Sequence, residues 1–174
     1  MLKILLPALL LVVSCRPNRD LSQYTVEDPD SHLVATIPIG NPKFEAQLKS
    51  GFHQIEEGGW RWAASKFVVE LKAPFASQKL GATLTLKGSL PEVLYSKTGP
   101  IQLSAKLNST VLPPLKFKQA GDFVYEVEVS AKAMTASHIL IEFTADKFLP
   151  PNTFPNDGRE LALIVTSISL DTKK

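Results

Sequence analysis

The sequence holds 174 residues, 19 of them Lys or Arg against 17 Asp or Glu, with a single cysteine. This length suits one ordinary domain, and the near balance of charge gives no sign of the basic surface that a nucleic-acid partner requires. One cysteine excludes a disulfide framework.

The chain opens MLKILLPALLLVVSC. Lys3 gives a short positive start, and Ile4 to Val13 is an apolar run that as helix would span only ~15 Å. That is about half of a ~30 Å hydrocarbon core, so residues 1–14 read as a secretory signal peptide and not as a membrane span. Val12-Val13-Ser14-Cys15 resembles the bacterial lipobox, in which a cleavage site directly precedes a cysteine. The resemblance implies that Cys15 receives diacylglycerol, becomes the first residue of the mature chain and is N-acylated as well. At ~0.8 kcal/mol per buried CH₂, three acyl chains exceed what stable anchoring needs. The competing reading is an ordinary signal peptide with an incidental cysteine near its end. Arg16, where inner-membrane lipoproteins usually carry aspartate, makes the outer membrane the expected location in the bacterial envelope.

Arg16 to Ser31, RPNRDLSQYTVEDPDS, is polar and has neither helical nor alternating pattern, so residues 15–31 read as a lipidated cysteine and its tether. From residue 32 the period is two. Phe67, Val69 and Leu71 alternate with polar neighbours, as do Ala82, Leu84 and Leu86, then Ile101, Leu103, Ala105 and Leu107, then Phe123, Tyr125, Val127 and Val129. Half-buried antiparallel strands require this pattern. The segments 137–143 and 161–170 are apolar on both sides near their centres, which predicts strands deeper in a sheet. Asn108-Ser109 and Ala120-Gly121-Asp122 mark turns, and the proline-rich stretch 150–160 is a long loop. A single helical turn is expected near Ala131 to Ala136. Residues 32–174 therefore predict an all-β fold, one antiparallel β-sandwich of jelly-roll or immunoglobulin-like type with about eight strands.

Chemistry concentrates in 52-FHQIEEGGWRW-62, which holds both tryptophans. With Gly51-Phe52, Glu56 or Glu57 and Trp60-Arg61-Trp62 early, and Asp157-Gly158-Arg159-Glu160-Leu161 late, the chain resembles a β-sandwich domain of bacterial cell-surface polysaccharide proteins, one often attached to glycosyltransferases. Ala162 and Ser109 stand where that pattern has glycines, and the first of these implies looser backbone packing after Arg159. No glycosyltransferase domain accompanies the sandwich. The resemblance thus implies a fold and a neighbourhood, not a catalytic activity.

Two readings of these residues compete. In the first they form a structural corner. Arg61 pairs with Asp157, or Arg159 with Glu56 or Glu57, because a planar guanidinium matches a carboxylate, and Trp60 or Trp62 covers the pair. In the second, an exposed indole stacks on a sugar while His53, Glu56, Glu57 and Arg61 bind hydroxyls. A hydrolase using Glu56 or Glu57 with Asp157 is disfavoured, because adjacent glutamates on a strand point to opposite faces and cannot both serve one site unless a turn at Gly58-Gly59 intervenes. His32, His53 and His138 lack metal-ligand spacing, and neither a cofactor nor a metal is expected. The expectation is a non-enzymatic envelope lipoprotein associated with surface polysaccharide. Its rival is a structural or protein-interaction lipoprotein without a glycan ligand.

Overall fold

The computed structural model describes residues 32–173; the signal peptide, Cys15 and tether expected before them lie outside the described residues. Nine strands follow in order among these residues: β1 (Thr36–Pro38), β2 (Leu48–Glu56), β3 (Trp60–Lys72), β4 (Ala82–Leu90), β5 (Ile101–Leu107), β6 (Thr110–Phe117), β7 (Gly121–Val129), β8 (His138–Ala145) and β9 (Leu163–Thr172). The hydrogen-bonded order is β6-β5-β8-β3-β9-β4-β7, with β1 added to β9 and β2 to β3. Strand β3 is the joint. Its residues Lys66 to Lys72 pair with β8, whereas Arg61 to Ala63 pair with β9. The sheet folds over at this strand into two antiparallel layers, β6-β5-β8-β3-β2 and β1-β9-β4-β7, as a sandwich.

The alternating residues meet between the layers. Phe67, Val69 and Leu71, Ile139, Ile141 and Phe143, and Leu84 and Leu86 are fully or almost fully buried. Phe67 stacks on Phe143 at 4.9 Å, and Phe52 and Tyr125 meet this pair edge-on. Such contacts add ~0.5–1.5 kcal/mol each beyond area burial. Tyr125 also donates its hydroxyl to Pro113 O at 2.7 Å, tying β7 to β6 on the open side of the sandwich. Burial pushes this phenol up to about 12.

Both segments expected deep in the sheet are buried on one face only. In β8, Leu140 points outward, 36% exposed, among polar neighbours. In β9 the pattern comes from a bulge. Gly88 pairs with Val165 and Lys87 with Ser167, so Thr166 has no partner in the ladder and the phase shifts by one. Leu163 and Val165 before the bulge, and Ile168 and Leu170 after it, all face inward. Gly88 is required there, because a Cβ would lie 2.0 Å from Ile164 O.

The turns fall where expected. Asn108 takes φ 49° and Gly121 φ 120°, so Asn108 supplies the left-handed residue that the β5–β6 hairpin needs without a glycine. The structure adds two helices that carry no strong periodic signal, α1 (Ser77–Leu80) and α2 (Glu92–Thr98). Leu94 of α2 is buried, and Lys147 caps the helix end by donating to Thr98 O at 2.8 Å. The turn near Ala131 is a short 3-10 helix, Ala131–Ala133, and a second one spans Pro42–Gln47. Among the described residues no helix is long and apolar enough to cross a membrane.

Candidate functional site

The phase of β3 decides how the corner is built. Phe67, Val69 and Leu71 face inward, so Ala63 and Arg61 do too, while Trp60 and Trp62 face outward. One tripeptide therefore serves two opposite sides of the sheet.

On the inner side Arg61 is 4% exposed. Its Nε donates to Ile39 O at 3.0 Å, and Nη1 donates to His53 O at 2.9 Å and Glu45 Oε1 at 3.3 Å. Nη2 donates to Glu45 Oε2. The expected Arg61–Asp157 pair does not form, because Asp157 is engaged elsewhere and the carboxylate that meets Arg61 comes from the Pro42–Gln47 turn. Asn41 starts that turn by accepting from Lys43 N at 3.0 Å, with Pro42 supplying the preset φ. His53 adds a second staple, donating from Nε2 to Glu160 O at 2.7 Å. Glu160 accepts from Ser65 N at 2.7 Å with Oε1. Ser65 lies where β3 leaves β9 and has not yet met β8, so the carboxylate fills a gap in the ladder. Arg61 thus holds the fold from the inner side, while the half-buried His53 ring pins the late loop near Asp157.

On the outer side a turn of Glu57-Gly58-Gly59 joins β2 to β3, with Gly58 at φ 95° and Gly59 at φ 78°. Glu57 is exposed at its tip, and Glu56 sits directly opposite Trp60. The adjacent glutamates end in different places because β2 stops at Glu56 and Glu57 already belongs to the turn. Gly40 touches the turn backbone so closely that a Cβ would lie 2.0 Å from Gly59 O. Trp60 and Trp62 meet edge-to-face at 6.2 Å, and both are half-buried. Trp62 lies opposite Ile164 of β9 and packs against the core; Trp60 does not.

The 150–160 loop brings the second motif to this side. Arg159 donates to Asp157 from Nε at 2.9 Å and from Nη2 at 2.9 Å, and to Glu56 Oε1 from Nη1 at 2.6 Å. Its own backbone N–H also donates to Asp157 Oδ1 at 3.0 Å. These bonds hold the Asp157 carboxyl well below its ordinary range, at about 2, and raise the guanidinium's affinity for its proton. Ala162, three residues on, is fully buried and donates to Ala63 O at 2.8 Å. The looser packing expected from the missing glycine is absent, because that position needs only a small side chain.

The structure therefore divides the eight candidate residues. Arg61 goes inward and meets Glu45, a mostly exposed residue that sequence reasoning missed, while the half-buried His53 ring joins the late loop through Glu160 O, near Asp157. Trp60, Trp62, Glu56, Asp157 and Arg159 share the outer side, and Glu57 stands alone on the turn. The inward phase of Arg61 could have been found by counting back in twos from Phe67. No pattern marks Glu45, whose turn has no period. Among the described residues no group of three His, Cys, Asp or Glu side chains is arranged to hold a metal ion.

No protein-family model matches this chain, and no curated protein matches it either. Among solved structures it is similar to a mannan-recognising carbohydrate-binding module, TmCBM27, at 14% identity and TM-score 0.46, over 82% of this chain and 98% of that one. A second similar structure is the CBM36-1 domain of a multidomain xylanase from the hindgut metagenome of Trinervitermes trinervoides. It matches at 11% identity and TM-score 0.44, over 75% of this chain and 94% of that one. A family 35 carbohydrate-binding module from an environmental isolate matches at 12% identity and TM-score 0.38, over 71% and 80%. Identities and scores this low carry no argument about what the chain binds.

Proposed function

We propose that this protein is a non-catalytic glycan-binding accessory module of the bacterial envelope, anchored by lipid on Cys15 to the outer membrane. The observation that carries the glycan reading is the outer corner. Two half-buried indoles, Trp60 and Trp62, meet edge-to-face, and Trp60 stands opposite Glu56, which Arg159 bridges to Asp157. Aromatic faces take up the apolar face of a sugar ring, and placed charged groups bind its hydroxyls. Hydrolysis is a poor fit. Arg159 holds Asp157 down at about 2, so Asp157 is no general acid, and both its oxygens are bonded to Arg159, so it is not free to act as a nucleophile or base. The anchor rests on the lipobox resemblance and on the apolar run before it.

Tryptophan fluorescence tests this reading directly, because both reporters lie in the corner. The full chain is quenched with acrylamide and then titrated with surface polysaccharide from the producing bacterium. The expected result is emission open to quencher that shifts saturably with glycan, with the affinity lowered at least tenfold in Trp60→Ala. Emission that ignores glycan at every concentration would turn the search to protein partners.

A further inference from the structure

At the other end of β3 lies a feature that the glycan corner does not use. Phe75 is 95% exposed, and Leu80, across the short helix α1, is 56% exposed. Ala76 between them takes a left-handed φ of 62°, a strained conformation for a residue with a Cβ, and this turns the loop outward. Strand β3 separates this tip from the corner by 13 residues, roughly 40 Å of extended chain.

The chain enters the domain at this same end. Val34 O accepts from Lys72 N at 3.0 Å, so residues 32–34 lie beside the last residue of β3. The end of β9 is there as well, because Thr172 donates to Phe75 O at 2.6 Å. Lysines surround the tip: Lys72 and Lys79 on either side of it in sequence, Lys132 in the 3-10 turn packed on α1, and Lys173, which lies against Gly81. Facing them are Glu128, bound by Lys173 at 2.5 Å, and Asp171. Exposed apolar side chains among lysines, at the end where a lipidated tether would arrive, have the composition of a bilayer-contacting surface.

We infer that Phe75 and Leu80 form a tip that dips into the bilayer interface, with the lysines meeting anionic headgroups. The tip turns a flexible tether into a fixed orientation. With one end of β3 on the membrane, the Trp60 corner points away from it, towards surface glycan. The inference rests on Cys15 anchoring to bring the tip to the bilayer, but its own geometry is independent of the glycan corner. The rival occupant of the tip is a sugar stacked on Phe75. It has one observation in its favour: the buried hydroxyl of Ser77, in the same loop, is without a hydrogen-bond partner.

The test uses the full lipid-anchored chain in vesicles of phosphatidylethanolamine and phosphatidylglycerol. An environment-sensitive fluorophore is attached through Phe75→Cys and, in a separate protein, through Glu57→Cys on the distant turn. The expected result is blue-shifted emission from position 75, quenched by lipids carrying a quencher near the headgroup, and water-like emission from position 57. Equal, water-like emission from both overturns the tip. If polysaccharide binding by the unlabelled chain is then lost in Phe75→Ala, Phe75 is a sugar-stacking ring. Labelling the wild-type chain separates the two failures, since an acylated Cys15 has no thiol to react. Should Cys15 label, the anchor is refuted and flotation on the same vesicles decides. Loss of flotation in Phe75→Ser would keep the tip, and flotation equal to wild type would overturn it.

Discussion

Two arginines serve the same corner, and they differ in nearly every respect. Arg61 is buried and spends its donors on two carbonyls and Glu45, drawing β1's exit, β2 and the Pro42–Gln47 turn together. Arg159 is one-third exposed and spends its donors on two carboxylates, one of them two residues away in its own loop. Both are charge-assisted clusters that a sequence motif would treat alike. Burial separates them: desolvated carbonyls left without a donor are costly, whereas exposed ions return to water. The inner cluster should therefore be structural, and the outer one is free to be a site.

Arg61→Ala should destabilise the protein most. It orphans Ile39 O and His53 O, each worth ~1–3 kcal/mol, and it removes the charge partner of Glu45. Glu45 is 62% exposed and returns to water, so the two carbonyls carry the loss, ~2–6 kcal/mol together, with a fall in Tm of roughly 10 °C. Arg61→Lys should recover little, since an ammonium cannot reach three acceptors in the same plane. A thermal melt of both variants checks this, and an unchanged Tm in Arg61→Ala would refute the structural role.

Gly40→Ala comes next. Its new Cβ would lie 2.0 Å from Gly59 O, and backbone must move to admit it, at ~1–3 kcal/mol. A Cβ built on Gly58 would lie 3.5 Å from the Trp60 ring, so the turn packs near the indole and the emission of Trp60 should shift along with the fall in Tm. Destabilisation without a spectral change would mean that the turn and the indole are uncoupled.

Arg159→Ala sharpens the contrast. Exposed ion pairs stabilise little, so Tm should fall by a few degrees at most. Glycan affinity should fall tenfold or more if Glu56, Asp157 and the indoles act together. A drop in Tm as large as that of Arg61→Ala, measured in the same melts, would make both arginines structural and leave the corner without a site.

Much of this was legible in the sequence, for one reason. The interior between two layers imposes a period of two on β3, β4, β5 and β7, and each of those strands shows it. The bulge at Thr166 hid the same period in β9, because a one-residue slip makes a one-faced strand look apolar on both sides. Helices α1 and α2, at four and seven residues, are too short to show a 3.6 period. In the corner the residue types were legible and their partition was not. Arg61 found Glu45 in an aperiodic turn, and Glu160, read only as part of a motif, turned out to complete a ladder through Ser65. Partners that depend on where a loop lands leave no local trace.

The smallest expected effect is the most specific to the outer cluster. Arg159 donates three hydrogen bonds to Asp157, and these hold its carboxyl at about 2 in the folded protein, against about 3.9 in an unfolded chain. A depressed carboxyl contributes stability that is fully present above the unfolded value and is lost as pH falls through the folded one. The contribution should hold down to about pH 4 and fade towards pH 2. Screening by water keeps it small, so the measurement is a difference: Tm of wild type minus Tm of Asp157→Asn, followed from pH 6 to pH 2. The difference should be positive and flat above pH 4, then shrink as wild-type Asp157 takes up its proton. Glu70, lowered mainly by Lys49 at 2.6 Å, titrates on the outward side of β3 as well, but it is present in both proteins and cancels. A difference that stayed constant to pH 2 would mean that Arg159 does not hold Asp157 in solution. The outer cluster would then be a mobile pair, not a preset one, and any glycan it meets would have to order it.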